Sequence, residues 1–503
     1  MIEKLRLFLE NSPLDFLLDQ KNWVLLGNIL YTAVLVLVCL RIVYDTRSTS
    51  KTLAYLLIAI FVPFLGMVVY FSFGINYKKR RIYTKKLIED EVFITALEHR
   101  VTAYSERNLK SSSPEVQANK ELVKLLLRDS MSPLTVGNKV KILLNGEETF
   151  PAILEALRQA RHHIHIEYYI IDDDTVGNQI KDVLIQKARE GVQVRLIYDD
   201  YGSRSIRGKY LAELLAAGVE AHPFHKVHFW LLANRLNYRN HRKIIIIDAK
   251  TAFVGGINIA DRYINSPEAK KSLYWRDTHL RIDGPGIYYL QYLFFCDWNF
   301  CSSQQLAPEE HYFITDPIEG QHCHVQIAAS GPDSPTATIL FSLLQSIYLA
   351  QEEVLITTPY FIPGESILNA LCVAAMGGVS VKLLVPGIAD SGLVNAAAWS
   401  YYDDLLLAGV EIYLYQKGFM HAKTMVIDGN MAMVGTANMD NRSFELNFEV
   451  NAVVYDQEIS QQLRSVFYQD LEQSKRINPE EWRNRSKVKQ LFEKLARLLS
   501  PLL

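Results

Sequence analysis

The chain has 503 residues, 49% of them hydrophobic and 21% charged, with 53 Lys and Arg against 55 Asp and Glu for a formal net charge of −2. That balance excludes a small disulfide scaffold, a disordered tail and a generic cationic nucleic-acid binder, and the length fits two or three domains. The five cysteines, Cys39, Cys296, Cys301, Cys323 and Cys372, form no CxxC pair and are odd in number, so a reducing compartment without a disulfide framework fits best.

The N-terminal region, residues 1–77, is apolar in two blocks: Trp23 to Leu40 carries no charge, and neither does Thr52 to Tyr77. Each is long enough to cross a bilayer as a helix, which takes roughly 20 residues. The pattern predicts transmembrane helices over about 23–43 and 53–75, with Pro63 and Gly66 inside the second. Lys4, Arg6 and Lys21 precede the first block, and Lys78, Lys79, Arg80, Arg81, Lys85 and Lys86 follow the second. Only Arg41, Arg47 and Lys51 lie between them. The excess of outer cations predicts a multi-pass protein with both termini and its bulk in the cytoplasm. The same cations can attract anionic headgroups or serve only to fix topology.

Residues 78–133 read as a basic, helical connector ending in the turn-rich Ser130-Met131-Ser132-Pro133. Beyond it, short apolar runs alternate with helical patterns, an α/β rhythm. The run Ile164 to Ile170 resembles Val354 to Phe361. Glu190-Gly191-Val192 recurs as Gly377-Gly378-Val379, and Ala217-Gly218-Val219-Glu220 as Ala408-Gly409-Val410-Glu411. Order and chemistry are both kept, so the soluble part reads as two tandem α/β domains, 134–315 and 316–476. In the last segment, 477–503, Asn478-Pro479 starts a basic amphipathic helix. Leu491, Leu495, Leu498 and Leu499 can share one face, with Lys487, Lys489, Lys494 and Arg497 largely elsewhere. Such a helix could lie on a membrane or pack on the protein body.

The chemistry is concentrated in a repeated motif. His241-Arg242-Lys243 is followed by an apolar run, Asp248, and then Gly255-Gly256-Ile257-Asn258. His421-Ala422-Lys423 is followed by a matching run, Asp428, and Gly435-Thr436-Ala437-Asn438. Alternation along a strand puts His and Lys on one face and the residue between them on the other. A lysine charge, an asparagine amide and a histidine able to attack or protonate suit a tetrahedral phosphate, and the glycines permit close backbone approach. Two copies bring two histidines, as double displacement at phosphorus requires.

The doubled frame resembles the phospholipase D superfamily, whose signature is HxKxxxxD with a downstream Gly and Asn. The layout of two membrane spans before two such domains is similar to the bacterial cardiolipin synthases within it. The first copy departs from the frequent GS pair, with Gly256 where the second has Thr436. The resemblance implies two phospholipase D-like domains packed about a pseudo-twofold axis, both histidines at one phosphodiester, and a phosphohistidine intermediate. It implies transfer of a phosphatidyl group from one phosphatidylglycerol to another at the cytoplasmic membrane, without cofactor or nucleic acid. Hydrolysis, phosphatidylserine synthesis and, more distantly, nuclease activity are alternatives. His241 is then expected as nucleophile, His421 as acid and base, Lys243 and Lys423 as phosphoryl clamps, and Asn258 and Asn438 as further donors.

A nucleophilic histidine needs its second nitrogen held by an acceptor. Glu449 is the expected partner of His421, and Asp277 that of His241. Asp248 and Asp428 are motif residues by resemblance. Each lies one strand-length from its histidine, so the physical reading is structural support at a turn or domain interface. Neither Asp172-Asp173-Asp174 nor His322-Cys323-His324 has metal-ligand spacing. The aromatic insertion Phe229-Trp230-Leu231-Leu232 reads as either core or membrane-dipping.

Overall fold

The computed structural model describes residues 20–46, 49–71, 91–224, 238–265 and 273–500, apart from 303, 308, 314, 315 and 389. The chain divides into an N-terminal unit and a larger one beginning at Arg80. The Phe229–Leu232 insertion and the basic run from Lys78 to Lys86 lie outside the described residues.

In the N-terminal unit a single helix spans Gln20–Asp45, and its Trp23–Asp45 stretch is long and apolar enough to cross a membrane. At 1.5 Å per residue that stretch reaches roughly 34 Å. Its large side chains are mostly exposed, Leu30 at 67%. The second apolar block does not form the one helix expected over 53–75. It breaks into Thr49–Phe61 and Pro63–Val69, with Val62 between them at φ −134° and ψ 67°. Proline explains the break: its ring pushes the preceding residue out of the α region, and it has no N–H to continue the ladder. The two pieces then pack together at Gly66, where a Cβ would stand 2.5 Å from the Ala59 backbone. Among the described residues one helix is therefore long enough to span.

The larger unit is built on one sheet. Its first half supplies β1 (Thr135–Leu144), β2 (His163–Tyr168), β3 (Gln193–Asp199), β4 (Glu220–Phe224), β5 (Lys243–Ile247), β6 (Thr251–Gly255), β7 (Tyr274–Arg276) and β8 (Thr278–Asp283). The second half supplies β9 (Cys323–Ser330), β10 (Glu353–Thr357), β11 (Phe361–Ile362), β12 (Ser380–Pro386), β13 (Glu411–Tyr415), β14 (Gly418–Met420), β15 (Thr424–Ile427), β16 (Met431–Gly435), β17 (Met439–Asp440), β18 (Glu449–Tyr455) and β19 (Ser474–Arg476). The main sheet runs β19-β13-β12-β10-β15-β16-β18-β9-β1-β8-β6-β5-β2-β3-β4. Read outward from the β9–β1 junction, the two halves repeat one order, β1-β8-β6-β5-β2-β3-β4 against β9-β18-β16-β15-β10-β12-β13, which is the duplication seen in the sequence. All five residues of β5 are buried, because helices cover both faces of the sheet and a strand buried on both sides reads as continuous Ile and Val.

The connector is partly built into the second half. Helix Lys120–Ser130 buries Leu122, Val123 and Leu126 in the core that also holds Ile339, Leu343 and Val354. Two smaller pairings cross between the halves: β7 lies parallel to β14, and Asn240 bridges to Phe448. They position the site.

Candidate active site

Both motifs begin at the entrance to a central strand, β5 in the first half and β15 in the second. His241 and His421 are each 9% exposed, while Lys243 and Lys423 are buried. Each lysine ammonium folds back to donate to the backbone carbonyl of its own histidine, and Lys423 Nζ also lies 3.0 Å from His421 Nδ1. Arg242 is buried against Asp297 of helix Ile287–Cys301, on the opposite side from its neighbours as alternation requires.

The carboxylate partners are exchanged relative to the sequence expectation. His241 Nδ1 meets Glu449 Oε2 at 2.9 Å, and His421 Nδ1 meets Asp277 Oδ2 at 2.6 Å. Each histidine is thus oriented by the carboxylate of the other half. The two cross-half pairings explain this. Pairing of β14 with β7 delivers His421 beside Asp277, with the His421 N–H donating to Arg276 O at 2.8 Å. The Asn240–Phe448 bridge delivers His241 beside Glu449, with the His241 N–H donating to Phe448 O at 3.0 Å. Since a carboxylate only accepts, Nδ1 is the protonated nitrogen and Nε2 is left to act.

The two carboxylates are held differently. Glu449 accepts from the Thr436 hydroxyl at 2.5 Å and from Asn447 Nδ2 at 3.2 Å. Asp277 accepts from the Thr278 N–H at 2.7 Å and occupies the space a side chain at 256 would need: a Cβ on Gly256 would lie 2.2 Å from Asp277 Oδ1. Glycine in the first copy and threonine in the second are therefore complementary to the shorter and longer carboxylates. Gly255 and Gly435 sit where a Cβ would strike the neighbouring strand.

The asparagines are only partly available to a phosphate. Asn258 Oδ1 accepts from Ile170 N, and its Nδ2 donates to the Tyr263 hydroxyl at 2.9 Å. Asn438 Nδ2 donates to Asp440 at 3.1 Å. Each amide keeps a second N–H. Asp248 and Asp428 lie at the far ends of their strands at positive φ, and each closes the turn into the neighbouring strand. Asp248 accepts from the N–H groups of Arg161, His162 and His163, and Asp428 from those of Gln351, Glu352 and Glu353, all at 2.8–2.9 Å. Asp248→Ala should lower the unfolding free energy by about 3 kcal/mol in denaturant titration, since three charge-assisted bonds vanish and alanine must hold φ 52°. An unchanged midpoint would contradict the turn role.

Burial dominates the electrostatics of the site. Burial is the largest influence on both histidines and lowers both, His421 to about 3, against the upward pull of Asp277 and Glu449. Burial also lowers Lys243 to about 7 and Lys423 to about 8. For Asp277 and Glu449 burial acts upward, but the facing histidine and lysines outweigh it and hold both below the usual carboxylate range. Each lysine is felt by the histidine of the other half, so the motifs form one site. No group of three or more His, Cys, Asp or Glu suited to a metal occurs among the described residues.

Comparison with known proteins places this geometry. The family described as "Cardiolipin synthase, PLD-like domain" matches residues 153–269 and 343–471, and "Phospholipase_D-nuclease N-terminal" matches 29–74. Cardiolipin synthase 2 of Bacillus anthracis is 43% identical, over 91% of this chain and 88% of that protein. The chain belongs to the cardiolipin synthase family. Cardiolipin synthase of Geobacillus kaustophilus is 40% identical over 95% and 94% of the two chains. The crystal structure of Haemophilus influenzae phosphatidylserine synthase superposes with a TM-score of 0.58 over 76% of this chain and all of that one, at 14% identity, and shares the fold.

Several site residues of this family member were not singled out in the sequence. Trp275 and Phe419 stand 5.4 and 5.9 Å from the His421 ring, and Tyr169 stands 4.8 Å from His241. Trp275 and Phe419 lie on the paired β7 and β14, and Asn447 lies two residues before Glu449. The available signal was proximity to a carboxylate or a motif histidine.

Proposed function

We propose that the protein joins two phosphatidylglycerol molecules into cardiolipin and releases glycerol, by double displacement at His241 and His421. The observation that carries this reading is the exchange of carboxylates, which binds both histidines, one from each half, into one buried site. His241 Nε2 attacks phosphorus, and the bond to the glycerol oxygen breaks as His421 protonates it. His421 then takes the proton from a headgroup hydroxyl of a second phosphatidylglycerol, whose oxygen displaces His241. The more basic histidine is the better attacker. The strongly depressed His421 is the better acid once an anionic phosphodiester has drawn a proton onto it. Lys243 and Lys423 balance the phosphoryl oxygens. Purified protein with phosphatidylglycerol vesicles should yield cardiolipin and glycerol in equal amounts. Phosphatidate alone would favour hydrolysis, and activity only on single-stranded DNA would favour a nuclease.

The lysines set a pH limit. Burial favours the neutral amine, so the cationic clamp is present below pH about 7 to 8 and is lost as pH rises through those values. kcat/KM should therefore begin to fall above pH about 7, and Lys243→Arg should move that limb up towards the Lys423 value of about 8. A profile flat from pH 7 to 10 would exclude the lysines as the free-enzyme groups.

Membrane contact has a second support. In helix Lys487–Arg497 the body-facing side is narrow: Ala496 enters the core, and Glu493 is buried and ion-paired with Arg485 at 2.7 Å. The apolar side faces outward, with Val488 77%, Leu491 60% and Leu495 53% exposed beside Lys487, Lys489 and Lys494. Burying such a face in anionic lipid contributes about 1.5–3 kcal/mol per large side chain. Leu491→Glu with Leu495→Glu should weaken binding to phosphatidylglycerol vesicles at least tenfold by flotation, and unchanged binding would remove the helix from the contact. The outer cations support a cytoplasmic catalytic unit. Protease added to intact cells should leave this unit uncut, and cutting without lysis would reverse the orientation.

A further inference from the structure

On β14, two residues before His421, Phe419 lines a small cleft in the second half that is open to solvent. Its walls include Tyr360, Val385, Asp390, Val394, Asn395 and Phe419, at the ends of β10 and β12 and the start of helix Gly392–Trp399. Tyr360 and Phe419 are ring neighbours at 6.4 Å, and Phe419 is in turn 5.9 Å from His421. The cleft therefore lies within one aromatic ring of the acid–base histidine.

We infer that this cleft is a subsite for the glycerol unit on the His421 side of phosphorus, occupied first by the departing glycerol and then by the headgroup of the incoming lipid. This inference rests on the proposed double displacement. In-line chemistry puts leaving and entering alcohols on one side, and here both are glycerol units.

The wall chemistry selects that occupant. Asp390 Oδ2 accepts from the Tyr360 hydroxyl, which fixes the carboxylate and leaves Oδ1 for a ligand hydroxyl. The Asn395 side chain has no hydrogen-bond partner among the described residues and can donate or accept. Among the described residues no cation lines the cleft, so a second phosphate would meet a carboxylate without compensation. Pro359, Phe361, Val385, Pro386 and Val394 make much of the wall apolar, so an acyl chain is the competing occupant, though it would leave Asp390 and Asn395 unused. A neutral polyol uses both polar groups and lays its carbons on Tyr360 and Phe419.

The corresponding loop of the first half is built differently. β3 and β12 hold equivalent places in the sheet, and four residues beyond each stand Ser203 and Asp390. Ser203 is fully buried. It donates to Tyr169 O and accepts from the Ile171 N–H, both at 3.0 Å.

The test uses full-length protein in mixed micelles with phosphatidyl-p-nitrophenol, whose leaving group is not glycerol. The phosphatidyl-enzyme formed is then divided between water, giving phosphatidate, and added free glycerol, giving phosphatidylglycerol. Asp390→Asn and Asn395→Leu should each raise by about tenfold the glycerol concentration at which the two products are equal. The product ratio is independent of how much protein is active. An unchanged ratio in both variants overturns the subsite, as does a changed acyl-length preference at an unchanged ratio, or loss of nitrophenol release in both. If the unsubstituted protein never carries phosphorus on a histidine, the double displacement itself fails, and the subsite with it.

Discussion

Alanine at His241 should lower cardiolipin formation by at least about 10⁴-fold, and alanine at His421 should do the same, yet the two proteins should differ in what they can trap. Without His421 there is no proton for a departing glycerol. A phosphatidyl donor with a nitrophenol leaving group needs none, so the His421→Ala protein should accumulate label on His241. Water or alcohol would then be activated too slowly to remove it. Without His241 the attacking nitrogen is gone and no label should appear with any donor. Quenched digestion and mass spectrometry read the outcome directly. Label on His421 in the His241→Ala protein would reverse the roles. Near-normal turnover in both variants would show that the two rings do not share a phosphorus.

How much of this was legible without coordinates depended on how local each feature is. The doubled motif is a short frame of residues along one strand, so spacing alone placed His and Lys together and turned Arg242 away, as found. Reach along an extended chain also removed Asp248 and Asp428 from the phosphate, and they close turns. The carboxylates are another matter. Glu449 follows His421 closely in sequence, yet partner choice is set by β7 against β14 and Asn240 against Phe448, pairings between distant segments that no periodicity reports. Hydropathy likewise measured the length of the second apolar block but not its backbone, where Pro63 was the legible warning. The cleft at Asp390 depends on a loop only four residues past a strand, and the same offset in the first half ends in a buried serine.

The exchange of carboxylates makes the second large effect a diagnostic one. Asp277→Asn should lower cardiolipin formation roughly 10³-fold, because an amide at Asp277 Oδ2 cannot hold the His421 Nδ1–H or stabilise the imidazolium once the phosphodiester is bound. Glu449→Gln should be about as damaging through His241. The two variants separate on changing the leaving group. Nitrophenol release needs no acid, so it should be restored towards the parent rate in Asp277→Asn, whose His241 is untouched. It should stay slow in Glu449→Gln, whose attacking ring has lost its orientation. Partners chosen within each half would give the opposite result, with Glu449→Gln rescued and Asp277→Asn not. The labelled histidine found in the alanine variants fixes which ring attacks, so a reversed pattern could not be absorbed by exchanging the histidine roles. If His241 carries the label and Glu449→Gln is nevertheless the rescued variant, the cross-half pairing is wrong.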